Sequence, residues 1–85
     1  MTREEQIRAA LEEAFRPRLL EIVNESARHA GHAGHDGSGE SHFRVRIAAS
    51  AFAGMSRLDR HRAVHAALGE ELVRSIHALA LEIGP

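Results

Sequence analysis

Between Ala27 and Glu40 the chain carries four glycines, three histidines and not one large apolar side chain. Nothing in such a stretch can anchor it to a core, so it reads as a flexible loop, rich in histidine and glycine, at about 27–41. Everything that folds must come from the two flanking blocks of an 85-residue sequence, which suffices for one hydrophobic core and not for two. The expectation is a single domain over residues 1–85. A domain this short needs disulfides, a metal, a partner or close packing. The sequence has no cysteine, which removes the first of these and also any thiolate metal site or thiol nucleophile supplied by this chain alone.

The first block opens with Ile7, Ala10, Leu11, Ala14 and Phe15 at the i, i+3, i+4, i+7, i+8 spacing of an amphipathic helix. Thr2 and Glu5 have the spacing of a capping box, and Pro17 stops the helix near Phe15 or Arg16. Leu19 to Asn24 is short and holds a β-branched pair, which favours a strand. In the second block Phe43, Val45 and Ile47 alternate with His42, Arg44 and Arg46. That is a strand with one buried face, and its parity puts His42 on the solvated side.

Phe52-Ala-Gly54 reads as a turn or a single helical turn. Ser56 and Asp59 then offer a second capping box for a helix from about Arg57 to Val73. Its stripe of Val64, Leu68 and Leu72 extends back to His61, with Leu58 on the same side. Leu79, Leu81 and Ile83 alternate with Ala78, Ala80 and Glu82 in a third strand. His77 shares the parity of the leucines and is expected to face the helices. The fold class is α+β: helix, strand, strand, helix, strand, with an extra short helix before the second long one and the helices on one face of a three-stranded sheet.

Charge gives no global lead, because 11 basic residues against 12 acidic ones leave a formal net charge of −1. A basic footprint for nucleic acid or an anionic surface must be local. Arg57, Arg60, Arg62, His61 and His65 crowd the first half of the second helix, while Glu70 and Glu71 sit toward its end. Cations there oppose the helix macrodipole by roughly 0.3–1 kcal/mol each, so recognition of an anion is one reading and an ordinary solvated face the other. Arg44 and Arg46 could form another such patch. No run approaches the roughly 20 apolar residues of a membrane helix, and the start, Met-Thr-Arg-Glu-Glu, lacks the pattern of a leader. A cytoplasmic protein is expected.

Seven histidines in a chain of this length raise metal ligation, since imidazole is the commonest metal ligand. His29, His32 and His35 lie on the glycine-rich segment, where they can rearrange toward a metal; a polar loop with no such role is the alternative. His77, at a strand boundary, has the more rigid backbone, and a histidine satisfied at the core edge is the plainer reading there. No Gly-x-Ser-x-Gly turn, phosphate-binding glycine loop or His-Glu-x-x-His helix is present, so an enzyme is not expected.

Taken together, Asn24-Glu25-Ser26, Glu40-Ser41-His42-Phe43, Phe52-x-Gly54, Arg60-His61-Arg62-x-Val64 and His77-Ala78-Leu79 make the chain resemble the BolA-like proteins over nearly its whole length. The resemblance implies an αββαβ fold with a mixed sheet, similar to the type II KH arrangement. It also implies a monothiol glutaredoxin as partner, sharing a [2Fe–2S] cluster to which the partner and its bound glutathione bring the thiolates. His77 would be one metal ligand of this chain, and His32 or His29 the other. Two imidazoles opposite two thiolates would be Rieske-like ligation, which raises the potential over an all-thiolate cluster. Since the imidazoles must be neutral to bind, the shared cluster should weaken as pH falls through the histidine range. No cluster is expected in the isolated chain, and its self-association into a homodimer stays open. The family resemblance also implies DNA binding through a helix-turn-helix-like region at about 52–73, for which Arg57, Arg60, Arg62 and His65 are the candidate contacts. The sequence lacks a Gly-x-x-Gly clamp there.

Overall fold

A computed structural model of the chain describes residues 1–26 and 41–85. The order is α1 (Arg3–Phe15), β1 (Leu19–Asn24), β2 (His42–Ala48), a 3-10 turn (Ser50–Phe52), α2 (Arg57–Leu68), α3 (Glu70–Ser75) and β3 (Ala78–Gly84). The sheet order is β1-β2-β3, with β1 antiparallel and β3 parallel to the central β2. This is an α+β fold with a mixed sheet. The loop expected at about 27–41, with His29, His32 and His35, lies outside the described residues except for Ser41.

Local chemistry explains where α1 begins and ends. The Thr2 hydroxyl accepts from the Glu5 backbone N–H at 3.1 Å, and the Glu5 carboxylate accepts from the Thr2 N–H at 2.8 Å, completing the capping box. These Thr2 contacts, backbone first, hold the Glu5 carboxyl below its usual range. At the other end Arg16 adopts the left-handed region at φ 46°, donates its N–H to Glu12, and hands the chain to Pro17.

Register builds the core. Ile22, Val45 and Leu81 lie abreast across the sheet, as do Leu20, Ile47 and Ile83, and both rows pack on Ile7, Leu11, Val64 and Leu68 from the helices. The other face carries charge. There Arg46 lies 3.5 Å from Glu21 and 3.6 Å from Glu82, its neighbours on either strand, and Arg44 bonds Glu25 at 3.2 Å. Arg44 and Arg46 are thus paired with carboxylates of the same face, which favours the solvated-face reading of them over a separate basic patch.

The long second helix is in fact two. Gly69 has φ 89° and ψ 150°, a conformation open essentially to glycine alone, and the chain turns there before α3. The 64/68/72 stripe survives across the break, since Leu72 still packs on the core. Glu70 and Glu71 accordingly occupy the first turn of α3, where they complement its dipole instead of closing α2. A Cβ at Gly69 would meet nothing within 4 Å, so Gly69→Ala isolates the backbone term. It is expected to cost about 1–3 kcal/mol, read as a lower urea midpoint with unchanged slope.

Two further side chains differ from expectation. Leu58 is exposed rather than core-facing, because the buried face of α2 follows Val64 and Leu68. Ser56 caps the Asp59 N–H at 3.1 Å, but the Asp59 carboxylate sits 3.9 Å from Arg62 instead of reaching back to the Ser56 N–H, so the expected second capping box is only half formed. The extra helical turn falls on Ser50–Phe52. A tight turn follows, with the Met55 N–H donating to Phe52 O at 3.2 Å and Gly54 at φ 79°, as a type II turn requires.

Candidate metal centre

The parallel pairing of β2 and β3 aligns His42 with Ala78 and so sets Ser41 beside His77. The Ser41 carbonyl accepts from the N–H of His77 at 2.9 Å and of Ala78 at 3.1 Å. Across the other junction the Ser26 hydroxyl accepts from the Ser41 N–H at 2.9 Å and the His42 N–H at 3.1 Å. Ser26 is itself turned by its own N–H donating to Asn24 Oδ1 at 2.9 Å. Thus the two residues that bracket the segment 27–40 are bonded to each other, and one of them is bonded to His77.

Three polar residues at this corner are buried: Ser26 at 1%, Ser41 at 0% and His42 at 5% exposure. Buried polar groups persist only when satisfied, and these are. The Ser41 hydroxyl and His42 Nδ1 lie 2.7 Å apart. Next to the buried imidazole lies an accessible one. His77 is exposed, and its ring centroid is 5.1 Å from that of His42 with the planes tilted by 52°.

Both histidines depart from strand parity. His42 shares parity with the exposed Arg44 and Arg46 yet is buried, while His77 shares parity with Leu79 yet is exposed. Each stands at a strand terminus, His42 opening β2 and His77 preceding β3. There the local hydrogen bonds to Ser41 and Ser26, not the pleat, decide how the residue is held. Periodicity therefore misses His42. The sequence signal that could have found it is the pairing of the Asn-Glu-Ser and Ser-His-Phe blocks, which together form this polar corner.

His29 and His32, the other proposed ligands, fall outside the described residues. Among the described residues no three His, Cys, Asp or Glu side chains cluster as a metal cage. The remaining candidates lie elsewhere. His61 is half-buried, its Nδ1 2.9 Å from the Arg57 carbonyl, and His65 is exposed on α2. Arg60 does structural work, donating to Phe52 O at 3.1 Å and Ile83 O at 3.3 Å. Arg57 and Arg62 are exposed.

A family profile described as BolA-like protein matches residues 11–84. The chain belongs to the BolA-like family. The match spans the polar corner and His77 alike. An uncharacterized Sinorhizobium protein encoded in a cobS 5′ region is 57% identical over 96% of this chain and 89% of its own length. Mouse BolA-like protein 1 is 54% identical over 89% of this chain, which spans only 53% of that relative. A DNA-binding transcriptional regulator, the BolA of Escherichia coli, is 46% identical over 91% of this chain and 70% of its own. Among solved structures, Arabidopsis thaliana BolA1 superposes with a TM-score of 0.84 at 38% identity, covering 99% of this chain and 92% of that one. The architecture described above is therefore the BolA fold.

Proposed function

We propose that this BolA-like chain is a non-enzymatic cytoplasmic adaptor that joins a monothiol glutaredoxin and co-ligates a shared [2Fe–2S] cluster in iron–sulfur trafficking or iron regulation. His77 and a histidine of the 27–41 segment are its ligands. The observation that carries this reading is the exposed His77 imidazole beside the point where both ends of that histidine-bearing segment are fastened. Covalent reach supports it. His29 is three residues from Ser26 and His32 six, so extended chain allows roughly 11 and 21 Å from that anchor, and Ser41 links the anchor directly to His77. The donor set fits as well. With no cysteine this chain can offer imidazole but no thiolate, and a cluster completed by two of its histidines needs thiolates from a partner, which is Rieske-like ligation.

The test is to add the purified chain to cluster-loaded monothiol glutaredoxin and follow the visible absorption and circular dichroism. Wild type is expected to change both. His77→Ala is expected to lose at least the roughly 10–100-fold in cluster affinity that follows from removing a group that merely supports a ligand, and the His29/His32 double alanine to fall similarly. Identical spectra with every version would reject the cluster role.

The name of the Escherichia coli relative favours a second reading, DNA binding through residues 52–73. Its cation supply is thin, since Arg60 is committed to two carbonyls and Arg62 neighbours Asp59. If that reading holds, duplex affinity falls steeply with salt and drops on Arg57→Ala and Arg62→Ala; indifference to salt removes it.

A further inference from the structure

The corner contains an imidazole to which no role has been given. We infer that His42 is a positioning residue: its buried ring is the wall that holds the exposed His77 ring in one orientation. The claim rests on His77 being the ligand proposed above, and it adds what aims that ligand.

His77 precedes β3 and is exposed, so its backbone is fixed by the bond to Ser41 O while its side chain has solvent to turn into. An exposed side chain of this kind ordinarily samples several staggered rotamers. Here a second ring stands 5.1 Å away at 52°, within the range at which planar rings pack in tilted contact. That second ring is itself immobilised. It is 95% covered, its Nδ1 is 2.7 Å from the Ser41 hydroxyl, and its main-chain N–H donates to Ser26 Oγ. A rigid imidazole thus props an accessible one. Metal ligation demands such support, because a ligand must be placed within about 0.5 Å of its working geometry.

Two substitutions separate ring packing from the hydrogen bond. His42→Asn places a polar group near the Nδ1 position, so the Ser41 contact can persist while the ring is gone. His42→Phe keeps a ring and loses the contact. In the isolated chain, three-bond NMR couplings across χ1 of His77 are expected to report one rotamer in wild type and in His42→Phe, and averaged rotamers in His42→Asn. In the glutaredoxin complex, His42→Asn is expected to bind the cluster several-fold more weakly and to broaden its electron paramagnetic resonance signal in the reduced state, with recovery in His42→Phe. The inference is overturned if His77 couplings are the same in all three proteins, or if they are already averaged in wild type; lowered thermal stability with unchanged couplings would mean that His42 is structural only. The coupling measurement needs no cluster, so it decides this point even if His77→Ala shows that no cluster is shared.

Discussion

Ser26→Ala is expected to lower the unfolding free energy by about 2–6 kcal/mol, because two buried amides lose their acceptor and each orphaned donor costs roughly 1–3 kcal/mol. Those amides belong to Ser41 and His42, at 2.9 and 3.1 Å from the hydroxyl. Ser26 is 1% exposed, so water does not readily replace the lost oxygen. The effect should be local in character. Amide exchange of Ser41 and His42 should accelerate before that of the central β2 residues Val45 and Ile47, and the urea midpoint should fall with little change in slope. A loss below about 0.5 kcal/mol, the size of an ordinary surface substitution, would show that the clasp contributes nothing. The functional consequence follows from position. The hydroxyl ties the entry of the 27–40 segment to its exit beside His77, so the variant should also weaken the proposed cluster complex.

Phe52→Ala should have a comparably large effect on the fold, about 3–5 kcal/mol. Phe52 is fully buried, its ring centroid lies 4.6 Å from that of Phe15, and its carbonyl receives Arg60. It therefore joins the end of α1, the 3-10 turn and α2 at one point. For a chain of this length the whole stability is of order 4–13 kcal/mol, so the substitution should remove a large share of it. Equilibrium urea denaturation measures this directly. A shift under about 1 kcal/mol would mean that the site collapses to fill the cavity, which partial relaxation does not normally achieve.

The elements were legible where a local rule governs. The α1 stripe, its Thr2–Glu5 box and the Pro17 stop depend on neighbours within one turn, and the alternation of Phe43, Val45 and Ile47 depends on the pleat alone. The helix break at Gly69 was missed because the apolar stripe of Val64, Leu68 and Leu72 runs through it unbroken; only the glycine hinted at it. Arg60 could not be distinguished from its neighbours Arg57 and Arg62 on composition. Its role depends on Phe52 O and Ile83 O, brought to it by the turn and by β3. At the candidate site His77 was legible through the family motif. His42 was not, since parity describes the middle of a strand and His42 stands at its end.

Sequence by itself determined the first helix, the strands, the one-sided burial of the sheet and membership of the BolA-like family, because each rests on spacing within a few residues or on ordered short motifs. The tertiary structure alone decided which polar groups meet. Ser26, Ser41, His42 and His77 come together only when β1, β2 and β3 take their registers, and those registers are set by packing the Ile22-Val45-Leu81 and Leu20-Ile47-Ile83 rows under the helices. Hydrogen bonds between segments far apart in the chain leave no periodic trace in it, whereas the burial that enforces them does.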